Sequence, residues 1–250
     1  MKAVVCDLDG VVYLGDSVIE GAPLALRRLS DAGVRVLFVT NNASRTPEQV
    51  AGKVSRLTGL EVGIDDVCTS PQAAEGMLRP DDLPVMVVGE VGITEVLEKA
   101  GREMTTEPLA AGSVMVGLTR KFDYDGIAAA ATAVRNGARF LATNTDATFP
   151  TAKGLMPGAG SIVAAIGVAS GVEPEIAGKP HRPMRDLVRR RIGREAWVIG
   201  DRVDTDVKMA LAEPGWSSIL VLTGVSGESS SADHVVADMV SAANLVLKQR

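Results

Sequence analysis

The sequence is poor in aromatic residues, which make up only 3% of its 250 residues, and it has no excess of basic charge. Its 26 Lys and Arg residues are outnumbered by 31 Asp and Glu residues, so the formal net charge is −5. General affinity for nucleic acid needs clustered cations that neutralise phosphates, and single strands are held largely by aromatic stacking. The composition therefore predicts no nucleic-acid partner.

Long hydrophobic runs are also missing. Apolar runs such as VLFV and VMVV contain only four or five residues, whereas a membrane-spanning helix needs about 20. The chain does not open with a basic segment followed by an apolar one, which is the pattern of a secretory signal peptide. We therefore expect no membrane partner and a cytoplasmic location.

Cysteine is scarce, with only Cys6 and Cys68, and each lies inside an apolar, strand-like stretch. Two reduced, buried thiols are the favoured interpretation for a cytosolic protein. A disulfide or a metal-binding pair is the alternative.

Short apolar runs that alternate with helix-like segments are abundant. Strands are predicted over residues 3–9, 35–41, 66–70, 84–90, 113–118, 139–144, 196–201 and 217–223. Helices are predicted over residues 23–33, 93–101, 125–137 and 183–193, each ending at a glycine, the residue favoured where a helix stops. Continuous apolar strands joined by helices indicate a parallel sheet covered on both faces. The predicted fold class is α/β.

The strand ends differ along the chain. Small, polar and acidic residues follow the strands near the two chain ends, whereas the middle strands end in GE, GLTRK and TNTD. This contrast predicts two sheets, one built from both ends of the chain and one inserted between them. We place the first part of the core at residues 1–81, the inserted domain at 82–174 and the second part of the core at 175–250.

Aspartates collect at two of these strand ends. Asp7 and Asp9 follow the first strand, and Asp201, Asp204 and Asp206 follow the strand WVIG. In a parallel sheet the carboxyl ends of the strands are where ligands bind. Carboxylates that converge there repel one another, and Mg²⁺, which takes carboxylate, water and phosphate ligands, would offset the repulsion.

The alternative for each aspartate is a helix cap. For the set as a whole a ligand site is favoured, because Gly10 and Gly200 next to these aspartates allow close approach of the backbone to a ligand.

Asp7 and Asp9 suit two roles at one phosphorus atom. A carboxylate nucleophile can form an aspartyl-phosphate, and a second carboxylic acid can protonate the leaving alkoxide and later activate water. Thr40 and the asparagines of VTNNAS offer donors for phosphoryl oxygens. Lys179 in the GKP segment is either a solvated charge or an ammonium group that neutralises carboxylate and phosphate.

With these segments in order, the chain resembles the haloacid dehalogenase superfamily, and within it the 4-nitrophenylphosphatase-like, NagD-type phosphatases. The four motifs of the superfamily read DLDG (7–10), VTNN (39–42), GKP (178–180) and GDRVDTD (200–206). The narrower resemblance adds DLDGVVYLGD, FVTNNASR and NGARFLATNTDATFP. The resemblance implies a three-layer, Rossmann-like core with a large inserted α/β cap, and it extends over the whole chain.

The resemblance also implies residue roles. Asp7 would be the nucleophile and Asp9 the general acid and base. Thr40, Asn41 and Lys179 would bind the phosphoryl group. Mg²⁺ would be held by Asp7, Asp9 through its carbonyl and Asp201 directly, with Asp206 in support, directly or through water, whereas Asp204 lies at a position that varies in the family.

In the predicted cap, Asn144 and Asp146 resemble a loop that faces the active site, although a polar strand end without such a role is about equally favoured. His181 is interpreted as a solvated loop residue, with substrate contact as the alternative.

The activity implied is Mg²⁺-dependent hydrolysis of small phosphomonoesters through an aspartyl-phosphate. Glycerol phosphate, phosphoglycolate, nucleotides and sugar phosphates are candidate substrates, with a slight preference for a polyol phosphate. A phosphotransferase or mutase, and a non-catalytic phospho-switch, are the alternatives. The resemblance also allows a homodimer, because caps in this group can carry dimer contacts.

Overall fold

The computed structural model describes residues 3–151, 154–227 and 231–249. The described strands are β1 (Ala3–Cys6), β2 (Tyr13–Leu14), β3 (Ser17–Val18), β4 (Val36–Thr40), β5 (Val67–Thr69), β6 (Val85–Val88), β7 (Met104–Thr105), β8 (Ser113–Val116), β9 (Arg139–Ala142), β10 (Thr148–Thr151), β11 (Gly154–Pro157), β12 (Glu175–Ile176), β13 (Ala196–Gly200), β14 (Trp216–Val221) and β15 (His234–Val236). The described α-helices are α1 (Ala22–Asp31), α2 (Pro47–Thr58), α3 (Ser70–Glu75), α4 (Val91–Lys99), α5 (Tyr124–Arg135), α6 (Ala159–Ser170), α7 (Arg182–Ile192), α8 (Lys208–Leu211) and α9 (Met239–Lys248).

Two parallel sheets organise the chain. The first has the strand order β15-β14-β13-β1-β4-β5 and combines strands from both ends of the sequence. The second has the order β12-β9-β8-β6-β7 and is formed by the middle of the chain. The pairs β2–β3 and β10–β11 are antiparallel hairpins. The α/β class and the two predicted groups of strands are confirmed.

Helices cover both faces of the first sheet because successive residues of a strand point to opposite sides. Val4 and Cys6 of β1 share an apolar cluster with buried residues of α1, α2 and α9. Val5 belongs to a second cluster with residues of α3, α7 and α8. The core therefore has the three layers that the resemblance implied.

The second sheet is also covered on both sides. One apolar cluster joins it to α5 and α6. Residues of its strands β6, β8 and β9 and of α4 belong to the same cluster as Val5 of the first sheet. The two sheets thus share buried apolar surface, which fixes the inserted unit over one side of the core.

Local sequence signals explain where the helices begin and end. At α2 the Thr46 hydroxyl accepts the main-chain N–H of Gln49 at 3.2 Å, and the Gln49 side chain accepts that of Thr46 at 3.1 Å. This reciprocal capping satisfies donors that a helix start leaves without partners. Pro47 occupies the first turn, and Gly59 ends the helix with a φ of 71°.

All eight predicted strands are present and all are shorter than predicted, and the four predicted helices are correct to within two residues at each end. The hairpins and the two- or three-residue strands β7, β12 and β15 were not predicted, because they contain no apolar run long enough to stand out. Cys6 and Cys68 are free, buried thiols, as expected.

Within the described ranges, no helix combines the length and the apolar composition that crossing a membrane requires.

The chain passes between the two sheets twice, and Arg139 of β9 links the first crossing to β12, the strand before the second crossing. Its guanidinium donates to the Met77 carbonyl at 2.8 Å and to Asp82 at 2.7 Å on the first crossing. It also donates two hydrogen bonds of 2.6 Å to Glu175 of β12, which precedes the second crossing. Because Arg139 and Asp82 are largely buried, this ion pair is screened less than an exposed one.

We expect Arg139→Ala to lower the free energy of unfolding by about 2–4 kcal/mol, because it leaves the buried Asp82 carboxylate without its cation. The control is Arg182→Ala, which removes an exposed partner of Asp186 and should cost less than about 1 kcal/mol. Urea unfolding of both variants measures the difference. Equal losses would show that Arg139 contributes no more than a surface ion pair.

Candidate active site

The carboxyl ends of three adjacent strands of the first sheet form one edge of polar side chains. Strand β1 lies between β4 and β13, so the residues that follow these strands come together. Asp7 follows β1, Thr40 ends β4 and Asp201 follows β13. The sequence prediction that these strand ends meet is confirmed by the topology.

Three carboxylates converge at this edge. One oxygen each from Asp7, Asp201 and Asp206 lies within 4.8 Å of the other two, and all three residues are buried. Burial of like charges is unfavourable unless a cation compensates them. This group is a candidate metal site, and the carboxylate of Asp9 is not part of it.

Lys179 supplies one compensating charge. Its ammonium group donates to Asp7 Oδ1 at 2.7 Å, to Asp206 Oδ1 at 2.8 Å and to the main-chain carbonyl of Val39 at 3.2 Å. Burial would lower the pKa of Lys179, but Asp206 and Asp7 outweigh burial and hold the pKa above its ordinary value. Lys179 is therefore charged and all three of its donors are in use, so the interpretation as a solvated surface lysine is wrong.

One oxygen of these three carboxylates has no partner within the described ranges of the chain. Asp201 Oδ2 accepts the main-chain N–H of Val225 at 2.7 Å, but the buried Oδ1 of Asp201 accepts no hydrogen bond from the residues that the structure describes. Unsatisfied buried oxygens are rare and need an explanation. A cation bound by oxygen ligands, such as Mg²⁺, satisfies this oxygen and fits the all-carboxylate donor set.

The carboxylates are hard to ionise without such a cation. Burial is the main cause that raises the pKa of Asp7 to about 7 and those of Asp201 and Asp206 to about 6. A neighbouring carboxylate raises each value further, whereas Lys179 opposes the increase. The electrostatics thus favour binding of a further positive charge.

Two glycines make room for this arrangement. Gly10 has a φ of 89°, and a Cβ built there would lie 2.4 Å from Asp201 Oδ2. A Cβ at Gly200 would lie 2.2 Å from the Asp206 side chain. The space that the sequence suggested for a ligand is therefore taken up by the metal-site carboxylates themselves.

A cavity of about 120 Å³ opens beside the carboxylates. Asp7, Asp9, Thr40, Lys179 and Asp201 line it from the core, and Asp206 does not line it. From the inserted unit it is lined by Leu118, Arg120, Asn144, Asp146 and Phe149, among others. The cavity thus lies between the two units, with the candidate nucleophile at its core side.

Asn41 joins the parts of this site. Its side-chain N–H groups donate to Asp146 at 3.2 and 3.3 Å and to the Lys179 carbonyl at 3.2 Å. Its side-chain oxygen accepts the main-chain N–H of Lys179 at 2.8 Å, and its carbonyl accepts from Asn144 at 2.7 Å. The side-chain donors of Asn41 are therefore occupied by protein atoms, which leaves its main chain for any contact with a phosphoryl group.

Thr40 differs from Asn41, because its hydroxyl oxygen accepts the main-chain N–H of Asn42 at 3.0 Å and its own hydrogen can donate into the cavity. Asn144 and Asp146 both line the cavity and both contact Asn41. His181 is not among the cavity-lining residues, and Asp204 is exposed and paired with Arg202.

Sequence reasoning did not identify Arg202, Arg120 or Phe149, which also line the cavity. Arg202 stands inside the predicted GDRVDTD motif, so its position was visible, but its contact with Asp204 depends on the turn that follows β13. Arg120 and Phe149 lie on loops of the inserted unit, where no strand end or spacing singles them out.

Comparison with known proteins identifies the family. Residues 4–103 match the model of the haloacid dehalogenase-like hydrolases, and residues 176–243 match a second HAD-hydrolase-like model. The chain is 38% identical over 245 residues to a 5′-nucleotidase of Bacillus subtilis, which covers 95% of this chain and 92% of that protein. The chain belongs to the haloacid dehalogenase-like hydrolases.

Solved structures of this family agree with the fold. The p-nitrophenyl phosphatase from Archaeoglobus fulgidus superposes with a TM-score of 0.89 and 29% identity, covering 98% of each chain. The glycerol phosphate phosphatase from Mycobacterium tuberculosis, crystallised in complex with magnesium, gives a TM-score of 0.86 and 35% identity over 96% of this chain and 75% of that chain. The predicted NagD-type branch is confirmed.

We expect MgCl₂ to raise the melting temperature more at pH 7.5 than at pH 5. The folded-state pKa values of the three carboxylates exceed their unfolded values of about 4, so the metal-free protein loses stability as the pH rises through about 6 to 7. A bound cation offsets that loss and adds about 2.7 kcal/mol at a concentration 100 times its Kd. Thermal unfolding with MgCl₂, or with EDTA and NaCl at matched ionic strength, measures both effects.

The control for this experiment is Asp201→Asn, which should abolish the gain from MgCl₂ because it removes the carboxylate with the unpartnered oxygen. A gain of equal size at both pH values, or one retained in the variant, would place the cation elsewhere.

Proposed function

We propose that this protein is a Mg²⁺-dependent phosphomonoester hydrolase that works through an aspartyl-phosphate on Asp7. The observation that carries the proposal is the convergence of the buried carboxylates of Asp7, Asp201 and Asp206 beside a cavity, with Oδ1 of Asp201 lacking a partner among the described residues. Hydrolysis of phosphomonoesters is supported by the names of the relatives and by the hydrolase family of the chain.

The carboxylates of Asp7, Asp201 and Asp206 and the main-chain carbonyl of Asp9 are the groups that we assign to Mg²⁺. When bound, the cation supplies positive charge that neutralises the carboxylates and the phosphoryl oxygens. Thr40 through its hydroxyl and Asn41 through its main-chain N–H are assigned to the phosphoryl group as donors, and Lys179 acts on it through its positive charge. These fixed donors stabilise the charge that develops during transfer.

In the first step, a carboxylate oxygen of Asp7 attacks phosphorus and the bond to the leaving oxygen breaks. Because Lys179 occupies Oδ1 of Asp7, we assign Oδ2 as the attacking atom. Asp9, in its acid form, gives its proton to the leaving alkoxide. Burial raises the pKa of Asp9 and thus favours the acid form, whereas Lys53, Lys179 and Arg45 oppose it.

In the second step, Asp9 takes a proton from a water molecule, which attacks the same phosphorus atom. The bond between phosphorus and Asp7 breaks, and inorganic phosphate and the free carboxylate are released. One difficult displacement is thereby divided into two easier ones.

We expect Asp7→Asn to lower kcat/KM at least about 1,000-fold, because the amide is a poor nucleophile. Phosphate release from 4-nitrophenyl phosphate in MgCl₂ measures the loss, and an unchanged melting profile shows that the variant folds. In the wild-type protein, acid-quenched turnover of a ³²P-labelled substrate should leave a label on the protein that hydroxylamine removes, as it does from acyl phosphates.

A folded Asp7→Asn variant that keeps near-wild-type activity would refute the mechanism. A label that persists for hours in MgCl₂ would favour a phospho-switch, and transfer of the label to a second substrate hydroxyl would favour a phosphotransferase.

The cavity suggests a small polyol phosphate as the substrate class. A volume of about 120 Å³ accommodates roughly ten water-sized atoms. This is enough for a three-carbon phosphate monoester, whereas the nucleoside of a nucleotide would extend beyond it. The Asp146 carboxylate on the cavity wall can accept hydrogen bonds from hydroxyl groups of such a substrate.

We expect kcat/KM for glycerol 3-phosphate to exceed that for AMP at least about tenfold, since the nucleoside would extend beyond the cavity and gain few contacts there. A panel of phosphorylated metabolites, assayed by phosphate release at matched concentrations, measures the ranking. Nucleotides at the top of the ranking would show that the cavity opens well beyond the volume described above.

The domain limits at residues 82 and 174, a homodimer and the cytoplasmic location stay predictions. The strand β12 (Glu175–Ile176) pairs with β9 of the inserted sheet, so we propose that the second crossing follows it closely.

A further inference from the structure

Lys53 is a buried lysine that none of the four sequence motifs contains. It lies in the middle of α2 (Pro47–Thr58), and its side chain is only 7% exposed. Lysine is rarely this buried without a compensating partner. The only carboxylate paired with it in the described part of the chain is Asp16 at 3.7 Å, and that side chain is 82% exposed. An exposed partner at this distance offsets little of the free energy that burial of the charge costs.

The stronger contacts of Lys53 all go to the β2–β3 hairpin, residues 13–18. Its ammonium group donates to the Gly15 carbonyl at 2.7 Å, at the turn of the hairpin. It also lies 3.7 Å from the centre of the Tyr13 ring, well within the range of a cation–π interaction. Tyr13 is itself buried. Lys53 therefore fastens both the turn and the first strand of the hairpin to α2.

The hairpin is directly connected to Asp9. The Gly10 N–H donates to the Tyr13 carbonyl at 2.9 Å, and the Tyr13 N–H donates to the Leu8 carbonyl at 3.2 Å. Asp9 and Tyr13 also form a β-bridge. The loop that carries Asp9 is thus closed by Tyr13, the residue whose ring Lys53 contacts.

Lys53 and Asp9 also affect each other electrostatically. Of the cations that act on Asp9, Lys53 has the strongest effect, ahead of Lys179 and Arg45. In turn, Asp9 is the carboxylate that most stabilises the charge of the buried Lys53. The two residues therefore attract each other electrostatically.

We infer that Lys53 is a positioning residue that holds the Asp9 loop through the β2–β3 hairpin, in the geometry that protonates the leaving group. The inference rests on the proposed function, in which Asp9 is the general acid. It adds a residue of α2 to the apparatus, although Lys53 does not line the cavity.

The test compares two substrates that differ in their need for an acid. The alkoxide that leaves from glycerol 3-phosphate is strongly basic and must be protonated, whereas 4-nitrophenolate is weakly basic and leaves without a proton. Values of kcat/KM report the first step, in which the leaving group departs. A defect in the position of Asp9 should therefore appear mainly with glycerol 3-phosphate, whereas a general structural defect should lower both values alike.

We expect Lys53→Met, which keeps an unbranched apolar side chain but removes the charge, to lower kcat/KM for glycerol 3-phosphate about 10- to 100-fold. With 4-nitrophenyl phosphate the loss should be less than about threefold. Lys53→Arg, which restores a cation, should recover most of the activity on glycerol 3-phosphate. The control is Lys99→Met, which removes a half-exposed lysine of α4 that pairs with Glu48 and Glu95 and should leave both values unchanged.

Equal losses on the two substrates in Lys53→Met would overturn the inference while leaving the proposed function intact. If the wild-type protein hydrolyses neither of the two substrates in MgCl₂, the proposed function is overturned, and the inference with it. If Lys53→Met does not fold, Tyr13→Leu removes the ring from the same contact, and the same selective loss is expected from it at a smaller size. Equal losses in that variant would again overturn the inference.

Discussion

The ammonium group of Lys179 between Asp7 and Asp206 is the interaction on which the rest of the site depends. Without it, buried carboxylates would face one another across less than 5 Å with no protein cation between them. The desolvation of such charges costs several kcal/mol per ion, which a single cation in good geometry can offset. Even so, burial and the neighbouring carboxylates hold the pKa values of Asp7 and Asp206 above the ordinary range, and Lys179 only partly opposes this. A further cation would stabilise the ionised carboxylates, which makes this edge of the sheet a candidate cation site.

The first sheet places these groups without help from long loops. Because β1 lies between β4 and β13, residues more than 190 positions apart in the sequence become neighbours at one edge. The apolar strands that build this edge are stable because helices cover both faces. Burial that would be unfavourable for isolated carboxylates is therefore imposed by the packing of the whole core, and the functional groups hold their positions on rigid elements.

Much of this was predictable from the sequence, for identifiable reasons. The strand runs before Asp7 and Asp201 are apolar and end abruptly in polar residues, so both the strands and the polar edge could be inferred. The contacts by which Asn41 links the core to the inserted unit could not be inferred, because they depend on the position of Asp146, which is 105 residues away in the sequence. The burial of Lys53 could not be inferred for a similar reason. A lysine within an amphipathic helix is expected to be solvated unless the hairpin that covers it is known.

The Asn41 contacts have a consequence for engineering. One asparagine side chain holds both the main chain of Lys179 and the carboxylate of Asp146 in the inserted unit. A chimaera that replaced residues of the inserted unit to change substrate preference would therefore also alter the support of the lysine next to the nucleophile. Exchange of the unit between relatives should preserve catalysis only when the incoming loop provides a hydrogen-bond acceptor for Asn41. Residues 144–146 are therefore the segment that such a design has to retain.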